Sequence, residues 1–405
     1  MATYMPLTIY MNVKITKSIP KGIISAPPSK SYTHRYLIAS MFSNKGTIKN
    51  VLFSEDIKAT LNCLEAFGVT YEKKDDSISI LSNEKFMKNP VFDCNESGST
   101  LRFLIPIVLT KYDKVTFKGT PKLISRGIGV YEKILKNQKI TIDEQIHIEG
   151  KLKPGEFIVD GSISSQYITG LLFALPLLDK ESTIKIIPPI NSKPYIDISL
   201  DILTKYKIEY KIEENSIYIP GNQKYIANDY FVEGDYSNAA FLDAFNYFGG
   251  NIKIENLNKD SLQGDKVFID YFRILNEKNT VLDISNCIDL GPVLFMFAAL
   301  KHGATFIGTA RLKIKESNRA LAMKEELKKC SIKIDIEENS VIVHKNNITK
   351  PNVCFESHND HRIVMALSLL STLFDITIND ASAVMKSYPH YFKDLEKLGV
   401  EIEYE

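Results

Sequence analysis

The sequence predicts an α/β protein of two similar domains, and three observations support this prediction. A pattern of helix, alternating strand, acidic turn and second strand recurs along the chain. Its copies are spaced by roughly 50 to 70 residues, which is too long for a short-unit solenoid. The 405 residues, of which 44% are hydrophobic, are enough for two or three domains with cores of their own. Six such units divide naturally into two groups of three.

The predicted helix ends locate the six units along the chain. Clear copies lead from Leu64, Leu203 and Leu327 into strands with period-two alternation, and each is followed by a charged turn and a second strand. Those second strands begin at Ser77, Ser216 and Ser340. Weaker copies lie at Leu135, near Leu275 and at Leu395. Each copy predicts a helix followed by a β-hairpin.

The apolar segments and the amino terminus indicate the cellular location of the protein. The longest apolar runs, from Ile168 to Leu178 and from Leu290 to Leu300, are shorter than the roughly 18 residues that span a bilayer, so they predict buried helices. The first ten residues, Met1 to Tyr10, lack the basic start of a secretion signal and the Arg-rich character of a transit peptide. We expect a cytoplasmic protein without membrane association. Met11 would also make a natural start, which leaves Met1 to Tyr10 as a native arm or an added extension.

Charge and cysteine content exclude several classes of function. The net charge of +1 supplies no global field for nucleic acid or an anionic membrane. The five cysteines form an odd set without CxxC spacing, which argues against a zinc site and a disulfide framework. No cluster of His, Asp and Glu has metal-ligand spacing. We therefore expect no metal and no cofactor, and any affinity for anions must be local.

One octapeptide, from Pro28 to Arg35, has the composition of an anion site. It places Lys30, small hydroxyls and Arg35 at the predicted start of a helix, where backbone N–H groups and the helix dipole favour negative charge. The alternative is an ordinary capped core helix whose two cations are merely solvated. Recurrence favours the anion site, because six further short polar segments with cations or hydroxyls follow along the chain. They run from Glu96 to Arg102, Gly161 to Gln166, Ser192 to Tyr195, Lys313 to Arg319, Asn359 to Arg362 and Lys386 to Pro389.

In this order the seven segments resemble the 5-enolpyruvylshikimate-3-phosphate synthase family of enolpyruvyl transferases, over the stretch from about Lys21 to Tyr391. The resemblance implies that each domain consists of three βαβαββ units around a pseudo-threefold axis, an inside-out α/β barrel, with the site in the cleft between domains. It implies that the first strand shares a domain with the last three units. The expected domains are 1–18 plus 234–405, and 19–233. Gly234 is a candidate hinge, with a simple tight turn as the alternative.

The resemblance also implies a reaction and its ligands. Family members transfer the enolpyruvyl group of phosphoenolpyruvate to the 5-hydroxyl of shikimate 3-phosphate, releasing phosphate, without a cofactor and as monomers. The expected contacts of shikimate 3-phosphate are Lys30, Ser31, Arg35, Ser164, Ser165, Gln166, Ser192, Tyr195, Asp289 and Lys315. Those of phosphoenolpyruvate are Lys30, Gly98, Arg126, Gln166, Arg319, Arg362 and Lys386. Ser164, Ser165 and Ser192 correspond to ligands of the 3-phosphate, and Arg35 to the partner of the carboxylate.

By the same resemblance, three residues are expected to move protons. Asp289 matches the residue that takes the hydroxyl proton, and Glu316 matches one near the methylene carbon. Lys30 is a second candidate for the general acid. Because neighbouring cations lower the pKa of a carboxylate, they suit a base better than an acid, and the proton donor stays open between Glu316 and Lys30.

Ordinary structural roles compete with several of these assignments. Plain helix capping explains the serines Ser97 and Ser99, and either Ser164 or Ser165. His34 and His361 are interpreted as structural. Glu96 departs from the neutral residue usual in the family, and the proline usual after Arg126 is absent.

Three other functions compete with this interpretation. A UDP-N-acetylglucosamine enolpyruvyl transferase would generally carry a cysteine in the loop from Gly119 to Gly127, which contains none. A nucleic-acid-end-binding relative of the same repeat fold would need a basic face with interleaved aromatics. A non-catalytic anion-binding protein has no need for Asp289 and Glu316. The expected partners are therefore the two small substrates, without nucleic acid.

Overall fold

A computed structural model of the chain describes residues 11–43, 45–83 and 85–405. They form two compact units. The terminal unit comprises the described residues up to Pro27 together with Tyr236–Leu257 and Asp265–Glu405. The central unit comprises Pro28–Asp235 and Asn258–Gly264.

The strands, in chain order, are β1 (Val13–Ile15), β2 (Lys21–Ser25), β3 (Thr47–Lys49), β4 (Thr70–Lys74), β5 (Ser77–Ser82), β6 (Val91–Asp93), β7 (Lys114–Lys118), β8 (Lys139–Ile142), β9 (Ile146–Glu149), β10 (Glu156–Asp160), β11 (Ser182–Ile187), β12 (Lys211–Glu213), β13 (Ser216–Ile219), β14 (Tyr230–Phe231), β15 (Asn251–Glu255), β16 (Val281–Asp283), β17 (Ala304–Ile307), β18 (Ile334–Ile336), β19 (Ser340–Val343), β20 (Phe355–Glu356), β21 (Ile376–Asn379) and β22 (Ile402–Tyr404).

The α-helices are α1 (Lys30–Ser43), α2 (Glu55–Phe67), α3 (Gly98–Val108), α4 (Pro121–Ser125), α5 (Gly129–Ile134), α6 (Ser165–Ala174), α7 (Lys193–Lys205), α8 (Tyr236–Asp243), α9 (Phe268–Glu277), α10 (Gly291–Leu300), α11 (Arg319–Lys328), α12 (His361–Ser368) and α13 (Tyr391–Lys397). Short 3₁₀ segments cover Leu175–Leu177, Ala244–Phe248, Gly264–Val267, Ile288–Leu290, Ala310–Ile314, Leu369–Thr372 and Ala381–Lys386.

The central unit repeats one sheet topology three times. Its sheets have the strand orders β14-β3-β5-β4, β6-β7-β9-β8 and β10-β11-β13-β12. In each sheet the first pair is parallel and the other two pairs are antiparallel. The two antiparallel strands that follow α2, α5 and α7 are the hairpins predicted from the repeats at Leu64, Leu135 and Leu203.

The terminal unit keeps this topology in part. The sheet β16-β17-β19-β18 follows it, and its last two strands are the hairpin predicted after Leu327. The sheet β20-β21-β1-β22 takes β1 from the other end of the chain, so the copy at Leu395 contributes one strand of its own. The hairpin predicted near Leu275 is wrong. The strand after α9 is β16, which pairs in parallel with β17 and so begins the next unit.

Local sequence explains these elements. In β5, Ile78 and Ile80 are buried while Ser77 and Ser79, which alternate with them, are not, as period-two alternation requires. Helix α2 ends at Gly68, whose φ of 106° lies in the left-handed region and whose N–H donates to the carbonyl of Glu65. The two apolar runs form α6 with the 3₁₀ turn after it, and α10, and both are buried as predicted. None of the helices in the described ranges is long and apolar enough to cross a bilayer.

The first unit boundary lies nine positions beyond the expected one, whereas the second lies close to it. The first crossover lies after Pro27 rather than near Ser18, because β2 pairs in parallel with β15 of the terminal unit. The second lies between Asp235 and Tyr236. The segment Asn258–Gly264 then returns to the central unit.

Candidate active site

Lys30 begins α1 and is held at two atoms by acidic side chains. Its backbone N–H donates to Oδ2 of Asp235 at 3.1 Å, and its Nζ pairs with Oδ2 of Asp56 at 2.7 Å. The Lys30 and Asp56 side chains are only 17% and 13% exposed, so this ion pair is partly shielded from water. Sequence reasoning missed Asp56, because an acidic residue in the first turn of a helix is common for reasons of capping alone.

Arg35 is buried inside the central unit and links three of its helices. Its Nε donates to Ser199 at 2.8 Å, Nη1 donates to the carbonyl of Ser31 at 2.8 Å, and Nη2 donates to Thr169 and to the carbonyl of Tyr195. These bonds use four of the five guanidinium N–H groups. Burial lowers the pKa of Arg35 to about 10. In this structure Arg35 joins α1, α6 and α7, and its contact with a substrate carboxylate stays a prediction.

Gly98 lies against two guanidinium groups. A Cβ atom at this position would stand 3.0 Å from Nη1 of Arg102 and 3.1 Å from Nη2 of Arg126, so a larger residue would press on both. Arg102 in turn donates from Nη1 to Oε1 of Gln166 at 2.8 Å, and Gln166 donates to the hydroxyl of Ser99 at 3.0 Å. The start of α3 and the start of α6 are thereby joined, and two guanidinium groups lie beside the Gly98 backbone.

Serine residues stand at the beginnings of α6 and α7, which pack against each other. Ser164 is the cap of α6, because its hydroxyl accepts the N–H of Gln166 at 3.3 Å. Ser165 is the first residue of the helix and is buried. Ser192 precedes α7 with φ of 57°, a left-handed conformation that serine adopts rarely. The sequence left the capping role open between Ser164 and Ser165, and the structure gives it to Ser164.

Arg319 is the centre of a charged cluster in the terminal unit. Its guanidinium is 1% exposed and donates to three carboxylates: Nε to Asp360 at 2.8 Å, Nη1 to Asp289 at 2.7 Å and Nη2 to Glu316 at 2.7 Å. Burial would lower the pKa of Arg319, but these three carboxylates, led by Asp360, raise it. Asp360 itself is fully buried and also accepts from the hydroxyl of Ser317 at 2.9 Å.

Asp289 is the carboxylate on which the cations converge. Its Oδ1 is 2.9 Å from Nζ of Lys315 and 2.7 Å from Nη1 of Arg319. Burial opposes ionisation of Asp289, but Lys315, Arg319 and Arg362 outweigh it and hold the pKa of Asp289 well below its usual range. Burial lowers the pKa of Lys315, and Asp289 works against that change. Asp289 is therefore ionised near neutral pH and can accept a proton.

Arg362 has donor capacity that its surroundings leave unused. It lies in the first turn of α12, where the Asp360 side chain accepts its backbone N–H at 2.9 Å. Its Nη1 donates to Asn238 at 3.2 Å, whereas its buried Nε has no hydrogen-bond partner among the described residues. An unsatisfied buried donor of a cationic group is costly, and an anionic ligand would satisfy it.

Three further residues that the sequence analysis named are Lys386 and His361 of the terminal unit and His34 of the central unit. Lys386 donates from Nζ to the carbonyl of Asn359 at 2.6 Å. His361 is buried, with Nδ1 3.8 Å from Oδ1 of Asp360. His34 is also buried and its Nδ1 is 2.8 Å from the hydroxyl of Thr60. Burial, assisted by Lys30 and Arg35, holds the pKa of His34 well below its usual range.

The predicted site residues fall into one group in each unit. The central unit carries Lys30, Ser31, Arg35, Gly98, Arg126, Ser164, Ser165, Gln166, Ser192 and Tyr195, and the terminal unit carries Asp289, Lys315, Glu316, Arg319, Arg362 and Lys386. Sequence reasoning missed Asp56, Asn238 and Asp360. Asp360 stood in a segment that had been singled out, and its position just before a helix was a usable signal. In the part of the chain that the structure describes, no group of three or more His, Cys, Asp or Glu residues is placed to hold a metal ion.

Comparison with known proteins gives one consistent answer. A family model described as EPSP synthase (3-phosphoshikimate 1-carboxyvinyltransferase) matches residues 15–395. The 3-phosphoshikimate 1-carboxyvinyltransferase of Clostridium kluyveri is 41% identical, over 97% of this chain and 98% of its own. That of Clostridium novyi is 39% identical, over 96% of this chain and 97% of its own.

Solved structures agree on the fold. The EPSP synthase of Acinetobacter baumannii at 2.37 Å superposes with a TM-score of 0.78, covering 98% of this chain and all of its own, at 21% identity. This likeness confirms the predicted class, two α/β domains each of three similar units. Neither the UDP-N-acetylglucosamine enolpyruvyl transferase nor the nucleic-acid-end-binding relative is favoured by these comparisons.

Proposed function

The chain belongs to the EPSP synthase family and transfers the enolpyruvyl group of phosphoenolpyruvate to shikimate 3-phosphate, and we propose that the two residue groups above carry out this reaction. The reaction is a step of the shikimate pathway, which leads to the aromatic amino acids. The observation that carries the assignment of roles is the cluster around Arg319, where a nearly buried cation and Lys315 both contact Asp289.

Shikimate 3-phosphate binds, in this proposal, at the helix starts of the central unit. The hydroxyls of Ser164, Ser165 and Ser192 hold the 3-phosphate, since hydroxyls and backbone N–H groups at helix N-termini suit a phosphomonoester. Support comes from the segments that lead into α6 and α7. The backbone N–H of Asn191 donates to the carbonyl of Gly161 at 3.0 Å, and the Asn191 side chain donates to the carbonyl of Ser162 at 3.2 Å, so the starts of the two helices lie in one region. The ring and carboxylate contacts are assigned to Lys30, Ser31, Arg35, Gln166, Tyr195, Asp289 and Lys315.

Phosphoenolpyruvate carries a carboxylate and a phosphate on three carbons, so its site must gather cations. We assign it to Lys30, Gly98, Arg126, Gln166, Arg319, Arg362 and Lys386. Two observations support this assignment. The buried Nε of Arg362 has unused donor capacity, and Gly98 lets an anion approach backbone that lies beside the guanidinium of Arg126.

The reaction needs an acid that protonates the methylene carbon and a base that takes the hydroxyl proton. The methylene carbon of phosphoenolpyruvate gains a proton, the 5-hydroxyl of the acceptor forms a bond to the neighbouring carbon, and the hydroxyl proton leaves. Loss of phosphate and of one methyl proton then restores the double bond. Asp289 is assigned as the base, because its low pKa keeps it ionised at neutral pH. Glu316 and Lys30 are the candidates for the acid.

We further propose that the chain acts as a monomer in the cytoplasm. This follows the family expectation, and the net charge of +1 gives no reason for adsorption to nucleic acid or to an anionic membrane. Light scattering coupled to size-exclusion chromatography measures the mass directly. A mass near 45.9 kDa is expected, and twice that value would contradict the proposal.

Phosphate release tests the function. The purified chain is mixed with phosphoenolpyruvate and either shikimate 3-phosphate or UDP-N-acetylglucosamine. Phosphate is expected with the first acceptor and not with the second, and the organic product should gain the mass of the enolpyruvyl group. Release with UDP-N-acetylglucosamine alone, or with neither acceptor, would contradict it. Asp283→Asn, an exposed carboxylate of the same unit, is the control for any variant of Asp289.

A further inference from the structure

Glu326 is a buried carboxylate on α11 that holds a neighbouring segment of the chain. It is 2% exposed and receives three donors: Nε2 of His358 at 2.9 Å, Nζ of Lys329 at 2.7 Å and the backbone N–H of Glu356 at 2.9 Å. Lys329 also donates to the carbonyl of Cys354 at 3.0 Å. The last turn of α11 therefore holds residues 354–358, and of these contacts His358 is the nearest in sequence to Asp360 and Arg362.

The first residue of the same helix holds the other end of this segment. Arg319 pairs with Asp360, and Asp360 in turn caps α12 through the N–H of Arg362. Arg319 and Glu326 are seven positions apart, which corresponds to about 10 Å along a helix. The helix thus fixes residues 356–360 at two separated points, with Asn359 between them.

The backbone between these points depends on its contacts. His358 and Asn359 both have φ of 51°, in the left-handed region, and neither is a glycine. Residues other than glycine occupy this region routinely only as single residues, so two in succession need support from their surroundings. The carbonyl of Asn359 accepts from Lys386, so a shift of this backbone would also move the partner of Lys386.

We propose that His358 is a positioning residue for phosphoenolpyruvate: its bond to Glu326 holds the 356–360 segment so that Asp360 orients Arg319 and Arg362 toward the anion. This inference rests on the proposed function, namely on the role of Arg319 and Arg362 in binding phosphoenolpyruvate. His358 touches no substrate in this account and acts through Asp360 and Asn359.

We call the hydrogen bond between His358 and Glu326 the clamp. Its strength depends on whether His358 is protonated, and therefore on pH. The groups facing the imidazole are Glu326, Glu325 at 4.0 Å and Lys329. The hydrogen bond to Glu326 raises the pKa of His358 above its usual value, although burial and Lys329 oppose this. The charged clamp is therefore complete below about pH 6.5 and weakens as pH rises through the raised pKa. Neutral imidazole still donates from Nε2 but lacks the charge.

Steady-state kinetics between about pH 6 and 9 test the proposal. We expect KM for phosphoenolpyruvate to rise with pH in the wild type while KM for shikimate 3-phosphate changes little. His358→Ala should raise KM for phosphoenolpyruvate by about tenfold at low pH, as expected for loss of a charged hydrogen bond. His358→Gln keeps a neutral donor and should recover most of this loss without the pH-dependent rise.

The matched control is His344→Ala. His344, the residue after β19, pairs through Nε2 with Asp335 of β18 at 2.8 Å. This is also a bond between a histidine and a carboxylate, but it is more exposed than that of His358, and neither partner belongs to the 356–360 segment. Its KM values should equal those of the wild type. If His358→Ala leaves KM for phosphoenolpyruvate unchanged, or if His344→Ala changes it equally, the positioning role is overturned.

Two further measurements separate this inference from the proposed function. Arg362→Lys should raise KM for phosphoenolpyruvate; if it does not, the assigned anion site fails whatever His358 does. NMR titration of the His358 imidazole needs no turnover. Glu326→Gln should lower its pKa relative to the wild type, and an unchanged pKa would overturn the clamp even with Arg362 in its assigned role.

Discussion

Asp289 receives two cations on a single oxygen, an arrangement that favours the ionised carboxylate. Replacing it by asparagine keeps the size of the side chain but removes its ability to accept a proton. We expect Asp289→Asn to bind shikimate 3-phosphate and to lower kcat by at least about 100-fold, since a positioned base typically contributes that much. Single-turnover rates and calorimetric titration are the measurements. A kcat equal to that of Asp283→Asn would remove Asp289 from the mechanism.

Ser164 and Ser165 are adjacent hydroxyls that we assign to the 3-phosphate, and Ser164 also caps α6. Ser164→Ala should therefore destabilise the fold by about 1 kcal/mol in addition to weakening the binding of shikimate 3-phosphate. Ser165→Ala should leave the fold stable and weaken the binding of shikimate 3-phosphate by about tenfold, through loss of a bond to a charged group, while phosphoenolpyruvate binding stays nearly unaffected. Calorimetry and urea unfolding of both variants are compared. If Ser165→Ala weakened the binding of both substrates equally, this would count against its role as a phosphate ligand.

Cationic residues were recognisable one by one, but their partners were not. Lys30, Arg319 and Arg362 stand in short polar segments that sequence reasoning singled out. Their partners Asp56, Asp360 and Asn238 lie 26, 41 and 124 positions away. A side chain's own charge is a property of the residue, whereas its partner depends on how distant segments pack.

At the scale of elements, one buried residue joins α11 to the start of α12. Asp360 is fully buried and accepts from Ser317, Arg319 and the N–H of Arg362. Asp360→Asn leaves part of the Arg319 charge without its partner. We expect a loss of about 3 kcal/mol in the free energy of unfolding, near the low end for a broken buried pair because Asp289 and Glu316 remain.

Urea unfolding at neutral pH measures this loss. The comparison variant is Glu403→Gln, which removes a pair between Lys14 and Glu403 that water largely screens. That variant should unfold at nearly the wild-type urea concentration. If Asp360→Asn is equally stable, the buried cluster contributes little to the fold.

The repeated elements were predictable wherever a unit was complete. Alternation and helix ends predicted the hairpins after α2, α7 and α11, because both signals depend on neighbouring residues. The prediction failed after α9, where the strand turns away to pair with β17. Helix followed by strand has the same local pattern in both cases. The pairing partner, far along the chain, makes the difference.

At the scale of the whole molecule, the segment Asn258–Gly264 is hydrogen-bonded to Glu233 and Gly234, just before the chain crosses into the terminal unit. Gln263 is buried, donates from Nε2 to Glu233 at 2.7 Å and to the carbonyl of Gly234 at 2.8 Å, and accepts from Ser29 at 3.3 Å. Gly234 also forms a β-bridge with Pro28. The candidate hinge is therefore hydrogen-bonded on both sides within the central unit.

Gln263→Ala should lower the free energy of unfolding by roughly 1 to 3 kcal/mol, because the buried carbonyl of Gly234 loses its donor and the partly buried carboxylate of Glu233 loses one of its donors. Gln223→Ala is the matched control. Gln223 also makes three hydrogen bonds, but its partners are exposed and can turn to water. The melting temperature, measured by calorimetry, should decrease clearly more for Gln263→Ala than for Gln223→Ala. Equal decreases would show that Gln263 does not stabilise the crossover.

The order of amino acids was sufficient for the α/β class, for the repeats that follow α2, α5, α7 and α11, and for the positions of the charged segments. Strand alternation, helix capping and local charge act over a few residues, so they can be read in any stretch of the chain. Folding was needed to bring β1 beside β22, to move the first boundary to Pro27, to bury Arg35 between three helices and to surround Arg319 with carboxylates. Each of these features joins residues that are far apart in the chain, and such contacts exist only once the units have packed.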